Sequence, residues 1–155
     1  MKLVSIFLLA IFVGCAHSRV DLIKDEFLST QVEIKEIVLG IYKNIENKKL
    51  DGLESQHLFG PKFSKFDLVG VARRLNAEET RKIEHDMFSS FSKAKYDVID
   101  LKVDVFKKVS IASYILGYNV DMGGKNYTGK ARGTLVFVKD GETWKITHEH
   151  FSPYF

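Results

Sequence analysis

Arg132-Gly133-Thr134-Leu135-Val136-Phe137-Val138-Lys139-Asp140-Gly141-Glu142-Thr143-Trp144-Lys145-Ile146-Thr147-His148-Glu149-His150-Phe151 decides the reading of this chain. Two runs rich in Val, Ile, Phe, Trp and Thr flank an Asp-Gly pair, the composition and punctuation of a β-hairpin. Working back, Tyr127–Lys139, Val109–Asp121 and Tyr96–Lys107 have the same character and are parted by charged or glycine-bearing turns. With Thr143–Phe151 they predict four successive antiparallel strands. Ahead of them the periodicity is helical: Val32, Ile34, Ile37, Val38, Ile41, Tyr42 and Ile45 recur every three or four residues and predict an amphipathic helix capped at Ser29 or Thr30. A short helix from Leu50 to His57 follows, and Phe59, Phe63 and Phe66 in a Gly-Pro loop return aromatic side chains to the core. Asn76 and Glu79 have capping-box spacing and open a further helix through Ile83, Met87, Phe88 and Phe91. Helices grouped before an antiparallel meander make an α+β domain and exclude a βαβ arrangement.

Composition narrows the function classes. The 155 residues suit one domain, and 23 basic against 20 acidic residues give a net charge of +3, too mild and too mixed to mark a nucleic-acid partner. One cysteine forms no internal disulfide and no cysteine-ligated zinc site. The first segment is an address: Lys2 precedes an apolar run from Leu3 to Val13, long enough for a signal peptide and short of the roughly 18–20 residues that span a bilayer. It ends in Phe12-Val13-Gly14-Cys15, which resembles a bacterial lipobox with Phe12 where an aliphatic residue is usual. That resemblance implies cleavage after residue 14, a lipid on Cys15, a tether over residues 15–28 and a domain over 29–155. Acyl chains add about 0.8 kcal/mol per buried methylene, so several on one cysteine anchor a protein stably. Ala16 after the cysteine goes with the outer membrane in such lipoproteins, so the expected location is the cell envelope, on the periplasmic face of that membrane.

The final hairpin, together with the helical opening, the aromatic loop and the Ala112–Tyr118 strand, strongly resembles SnoaL-like domains of the nuclear transport factor 2-like superfamily over about residues 29–155. The resemblance implies a cone: N-terminal helices on a strongly curved, mainly antiparallel sheet, with a pocket at the wide end. Members include isomerases, dehydratases, cyclases and ring-forming association domains, so fold is implied more sharply than reaction.

Strand alternation nominates the pocket residues. Trp144, Ile146, His148 and His150 share one face by a period of two, with Glu149 on the other, and Ala112, Tyr114, Leu116 and Tyr118 share a face of their strand. A two-residue Asp140-Gly141 turn sets Arg132 opposite Glu149; a three-residue turn with a bulge sets it opposite His148. The family pattern favours the bulged turn, with Arg132 and Thr134 inward. The expected ligand residues are therefore Tyr114, Tyr118, Arg132, Thr134, His148, His150 and, at the rim, His57. A guanidinium in a cone needs an anion, which predicts a small anionic ligand of unknown identity. Its like charge should also lower the His148 pKa. The alternative is a cofactor-independent isomerase, lyase or hydrolase using His148 as base with Arg132. No cofactor is expected, and no metal: a site on His148 and His150 needs a third ligand, His57 and Glu149 are the nearby suggestions, and Glu149 is expected to point the other way. A sheet face alternating Lys130, Lys145 and Thr147 predicts at most a weak homodimer.

Overall fold

In the computed structural model residues 21–68 and 72–155 are described. The chain runs α1 (Leu28–Glu46), α2 (Leu50–Glu54), β1 (Ser64–Phe66), α3 (Ala77–Ser90), β2 (Phe91–Phe106), β3 (Val109–Met122), β4 (Lys125–Asp140) and β5 (Thr143–Pro153). The five strands form one sheet in the order β1-β5-β4-β3-β2. β2 to β5 are the expected meander; the addition is β1, which pairs parallel to β5 with Lys65 opposite Glu149. Residues 1–20, with the leader and Cys15, lie outside the described residues. Among the described residues no helix is long and apolar enough to cross a membrane.

α1 buries Ile34, Val38, Ile41, Tyr42 and Ile45, a stripe at helical spacing that lies against β2 and β3. Val32, expected in that stripe, is exposed. Neither Ser29 nor Thr30 caps the helix: Phe27 precedes it in a left-handed conformation without a side-chain cap, its ring packed on the core. Glu46 at the other end accepts the Tyr96 amide at 2.8 Å, which fastens the helix to β2. α3 begins as expected, with the Asn76 side chain accepting from the Glu79 amide and the Glu79 carboxylate accepting from the Asn76 amide.

Bulges curve the sheet. β2 shifts register twice against β3, the second time around Asp100, which has a φ of 52°. The decisive irregularity is in β5. Phe137 pairs with Ile146 but Val136 pairs with His148, so Thr147 is an extra residue and the alternation changes phase there. Trp144 and Ile146 point inward before the bulge, Glu149 and Phe151 after it. The hairpin turn is Gly141-Glu142, since Asp140 pairs with Thr143 and Gly141 has a φ of 58°. Both expected registers are therefore corrected: Arg132 stands opposite Ser152, and Thr134 opposite His150.

The concave side of β4 is Ala131, Gly133, Leu135 and Phe137, and the convex side holds Arg132, Thr134, Val136 and Val138. Val136 and Val138 lie beside Ile111 and Val109 of β3. That outer face is more apolar than the Lys130, Lys145 and Thr147 pattern suggests.

Candidate functional site

The helices and the concave sheet enclose a cavity of about 280 Å³. Its wall is largely apolar, with Ile41, Ile45, Met87, Phe88, Leu116 and Phe151 among the lining residues, and four tyrosines, Tyr42, Tyr96, Tyr118 and Tyr127, add hydroxyls. Lys65, Asp67, Glu84 and Glu149 form one charged patch on this wall. Each arrives from a different local cause. Lys65 points inward because β1 alternates, sending Ser64 and Phe66 to the outer face. Glu84 stands on the buried stripe of α3, one turn from Thr80 and one from Phe88. The bulge at Thr147 delivers Glu149.

Together with His57 they make a buried ion network. Lys65 Nζ lies 2.5 Å from Glu84 Oε1, 2.9 Å from Glu149 Oε2 and 3.5 Å from Asp67 Oδ2. The contact with Glu149 Oε2 is held by charge rather than by an aligned hydrogen bond. Glu149 Oε1 meets His57 Nε2 at 2.6 Å, and His57 Nδ1 reaches the Leu53 carbonyl at 2.9 Å. A carbonyl and a carboxylate can only accept, so the ring donates from both nitrogens and is an imidazolium.

The protonation states agree. Burial lowers the His57 pKa, but the neighbouring Glu149 carboxylate outweighs it and raises the value above the usual 6.5. Burial likewise opposes the charge of Glu149, yet Lys65 and then His57 hold its carboxyl well below the usual range. Glu84 goes the other way: burial raises it, and Lys65 only partly offsets that. Tyr42 and Tyr114 share a hydroxyl contact of 2.5 Å, and burial first of all pushes both phenols far up, so they are neutral donors.

The His57 assignment predicts a titration. His57 should lose its second ring proton with a midpoint above the usual 6.5, with long-range nitrogen-15 spectra as the measurement. A neutral His57 at pH 6.5 would contradict the network. Because the folded pKa lies above the unfolded one, the stability from this pair is complete below about pH 6.5 and is lost as pH rises through the folded value.

Of the seven residues nominated from sequence, only Tyr118 lines the cavity. Tyr114 faces inward but stands behind Tyr42, and His57 is buried behind Glu149 rather than at the rim. Arg132, Thr134, His148 and His150 are on the outer face: the two-residue Gly141-Glu142 turn sets Arg132 and Thr134 there in β4, and Thr147, the extra residue in β5, turns His148 and His150 outward. Arg132 donates to the Pro153 carbonyl at 2.7 Å and stacks near Tyr154, so it meets no ligand in the cone and does not face His148. The His148 pKa is lowered as expected, but by partial burial and then by His150, not by Arg132. His148 Nδ1 contacts Ser64 Oγ at 2.9 Å. Phe66 packs outside against both histidines, while Phe63 is buried and Phe59 stacks on His57 at 4.8 Å.

His57, Glu84 and Glu149 present ligand atoms within 4.8 Å of one another, a spacing that suits a metal ion. The Lys65 ammonium already lies between the two carboxylates, and His57 has no lone pair left once it is an imidazolium. The donor set therefore does not fit a divalent cation.

No curated protein sequence matches the chain. Among solved structures it is similar to a protein of the nuclear transport factor 2-like family from Streptomyces avermitilis, with 17% identity, 82% of this chain and 98% of that one covered, and a TM-score of 0.71. A nuclear transport factor 2-like superfamily protein from Salmonella enterica gives 17% identity, 83% and 94% coverage and the same score. The association domain of C. elegans CaMKII gives 13% identity, 81% and 96% coverage and a TM-score of 0.67. These likenesses concern the fold. The sequence matches the SnoaL-like domain family over residues 34–155, which contain the whole sheet, Glu84 and the cavity wall, and the chain belongs to that family.

Proposed function

We propose that the protein is a small-molecule binding domain, tethered to the cell envelope through Cys15, that holds a largely apolar ligand in its cone. The cavity carries this reading: about 280 Å³ of mainly apolar wall with one charged patch is the usual build of a ligand site, where shape and burial supply affinity and a few polar groups orient. Arg132, on which an anionic ligand depended, lies outside and lends no support to that choice. A catalytic reading loses His148 and Arg132 for the same reason. An assembly role would use the outer sheet face, where Val109, Ile111 and Phe66 are exposed, and this is the second reading.

Two experiments test the proposal. Native mass spectrometry of protein purified from its own membrane should show a small-molecule adduct that Leu116→Trp, which fills the cavity, removes. A wild-type protein that carries no adduct and gains no stability from apolar probes would end the pocket reading. Cys15→Ser should move the protein from the membrane fraction to the soluble one; unchanged membrane association would end the anchor reading.

A further inference from the structure

The buried network is one cation short. Three carboxylates, Asp67, Glu84 and Glu149, have side chains 9%, 8% and 6% exposed, and they face two cations, Lys65 and His57. Withdrawing an unmatched carboxylate from water is costly, so such a site favours whatever supplies the missing positive charge. Glu84 carries the deficit. In the hydrogen bonds and ion pairs among the described residues it uses only Oε1, so Oε2 is an unpartnered acceptor on a residue that lines the cavity and is 6% exposed.

We infer that the ligand of this cavity is an organic cation, an amphipathic amine whose ammonium meets the Glu84 carboxylate while its carbon skeleton fills the apolar cone. This rests on the cavity being a ligand site. The donor inventory argues the same way. Lys65 is enclosed by three carboxylate oxygens, and His57 spends both N–H groups on Glu149 and the Leu53 carbonyl. Among the described residues lining the cavity, an incoming anion finds no uncommitted cation and meets three carboxylates. A cation finds an open acceptor and the rings of Tyr42, Tyr96, Phe88 and Phe91, whose faces attract positive charge. Burial holds the Glu84 pKa up, as expected for a carboxylate that lacks a full partner.

A matched series tests the charge preference. Full-length protein is titrated calorimetrically with 4-phenylbutylamine, 4-phenylbutanol and 4-phenylbutyrate, which share a skeleton and differ in head-group charge. The amine should bind about tenfold tighter than the alcohol, and the carboxylate more weakly than either. In Glu84→Gln the advantage of amine over alcohol should vanish. A carboxylate that binds as tightly as the amine overturns the inference even if the variant fails to fold, and so does an undiminished amine preference in a folded Glu84→Gln. Alcohol binding without amine preference overturns the inference alone. Failure of all three probes overturns the pocket reading and the inference with it.

Discussion

Lys65→Met should destabilise the fold by about 3–5 kcal/mol, the typical cost of stripping one partner from a buried ion network. The side chain is 4% exposed and keeps three carboxylates compatible with one another. Methionine replaces the stem but not the charge, so Glu84 and Glu149 would confront each other across an apolar site. Urea unfolding at pH 7 measures the effect. Adding Glu84→Gln should recover part of the loss, since residues of one network are not additive. A loss below about 1 kcal/mol would mean that water reaches Lys65 and that the network is not buried.

Gly133→Ala should also be severe, by about 2–3 kcal/mol, for a reason of space rather than charge. A Cβ there would lie 2.7 Å from Tyr114 Cζ, 2.8 Å from Tyr114 Cε2 and 3.1 Å from Phe151 Cε1. Tyr114 is buried and its hydroxyl is held by Tyr42, so the ring has no easy retreat. Gly129 offers the comparison: a Cβ there would meet the Tyr118 hydroxyl at 2.6 Å, but Tyr118 is half-buried beside the cavity and can swing into it. Gly129→Ala should therefore cost clearly less, by about 1 kcal/mol. Equal losses in thermal unfolding would show that Tyr118 is as confined as Tyr114.

What the sequence disclosed depended on periodicity remaining regular. α1, α3 with its capping box and all four long strands are visible as runs of matched spacing, and the cone follows from the family resemblance. The candidate site was mostly hidden because one inserted residue, Thr147, reverses the facing of every later side chain in β5. A period of two carried past that point brings His148 inward and sends Glu149 out, the opposite of the fold. No residue type announces such a bulge, and its position depends on what β4 presents opposite. Lys65 was hidden differently: two aromatics flank it at Phe63 and Phe66, and nothing local says that β1 pairs with the distant β5. Glu84 alone left a signal, a carboxylate in register with Thr80 and Phe88 on the apolar stripe of its helix.

The strand order sets the sequence of events by which the domain can be made. β5 is its last element in the chain but lies between β1 and β4, so β1 has no sheet to join until the end of the domain is available. Lys65 and Glu149 are 84 positions apart, and closing so long a loop comes late and slowly. Before β5 docks, Lys65 has water, Asp67 and Glu84 as partners, and His57 lacks the Glu149 carboxylate that holds its second proton. The network then acts as a completion check: the cavity wall closes and its charges leave water in the same step that seats the final strand, so a chain stopped short of Thr143 should persist as an open, protease-sensitive intermediate.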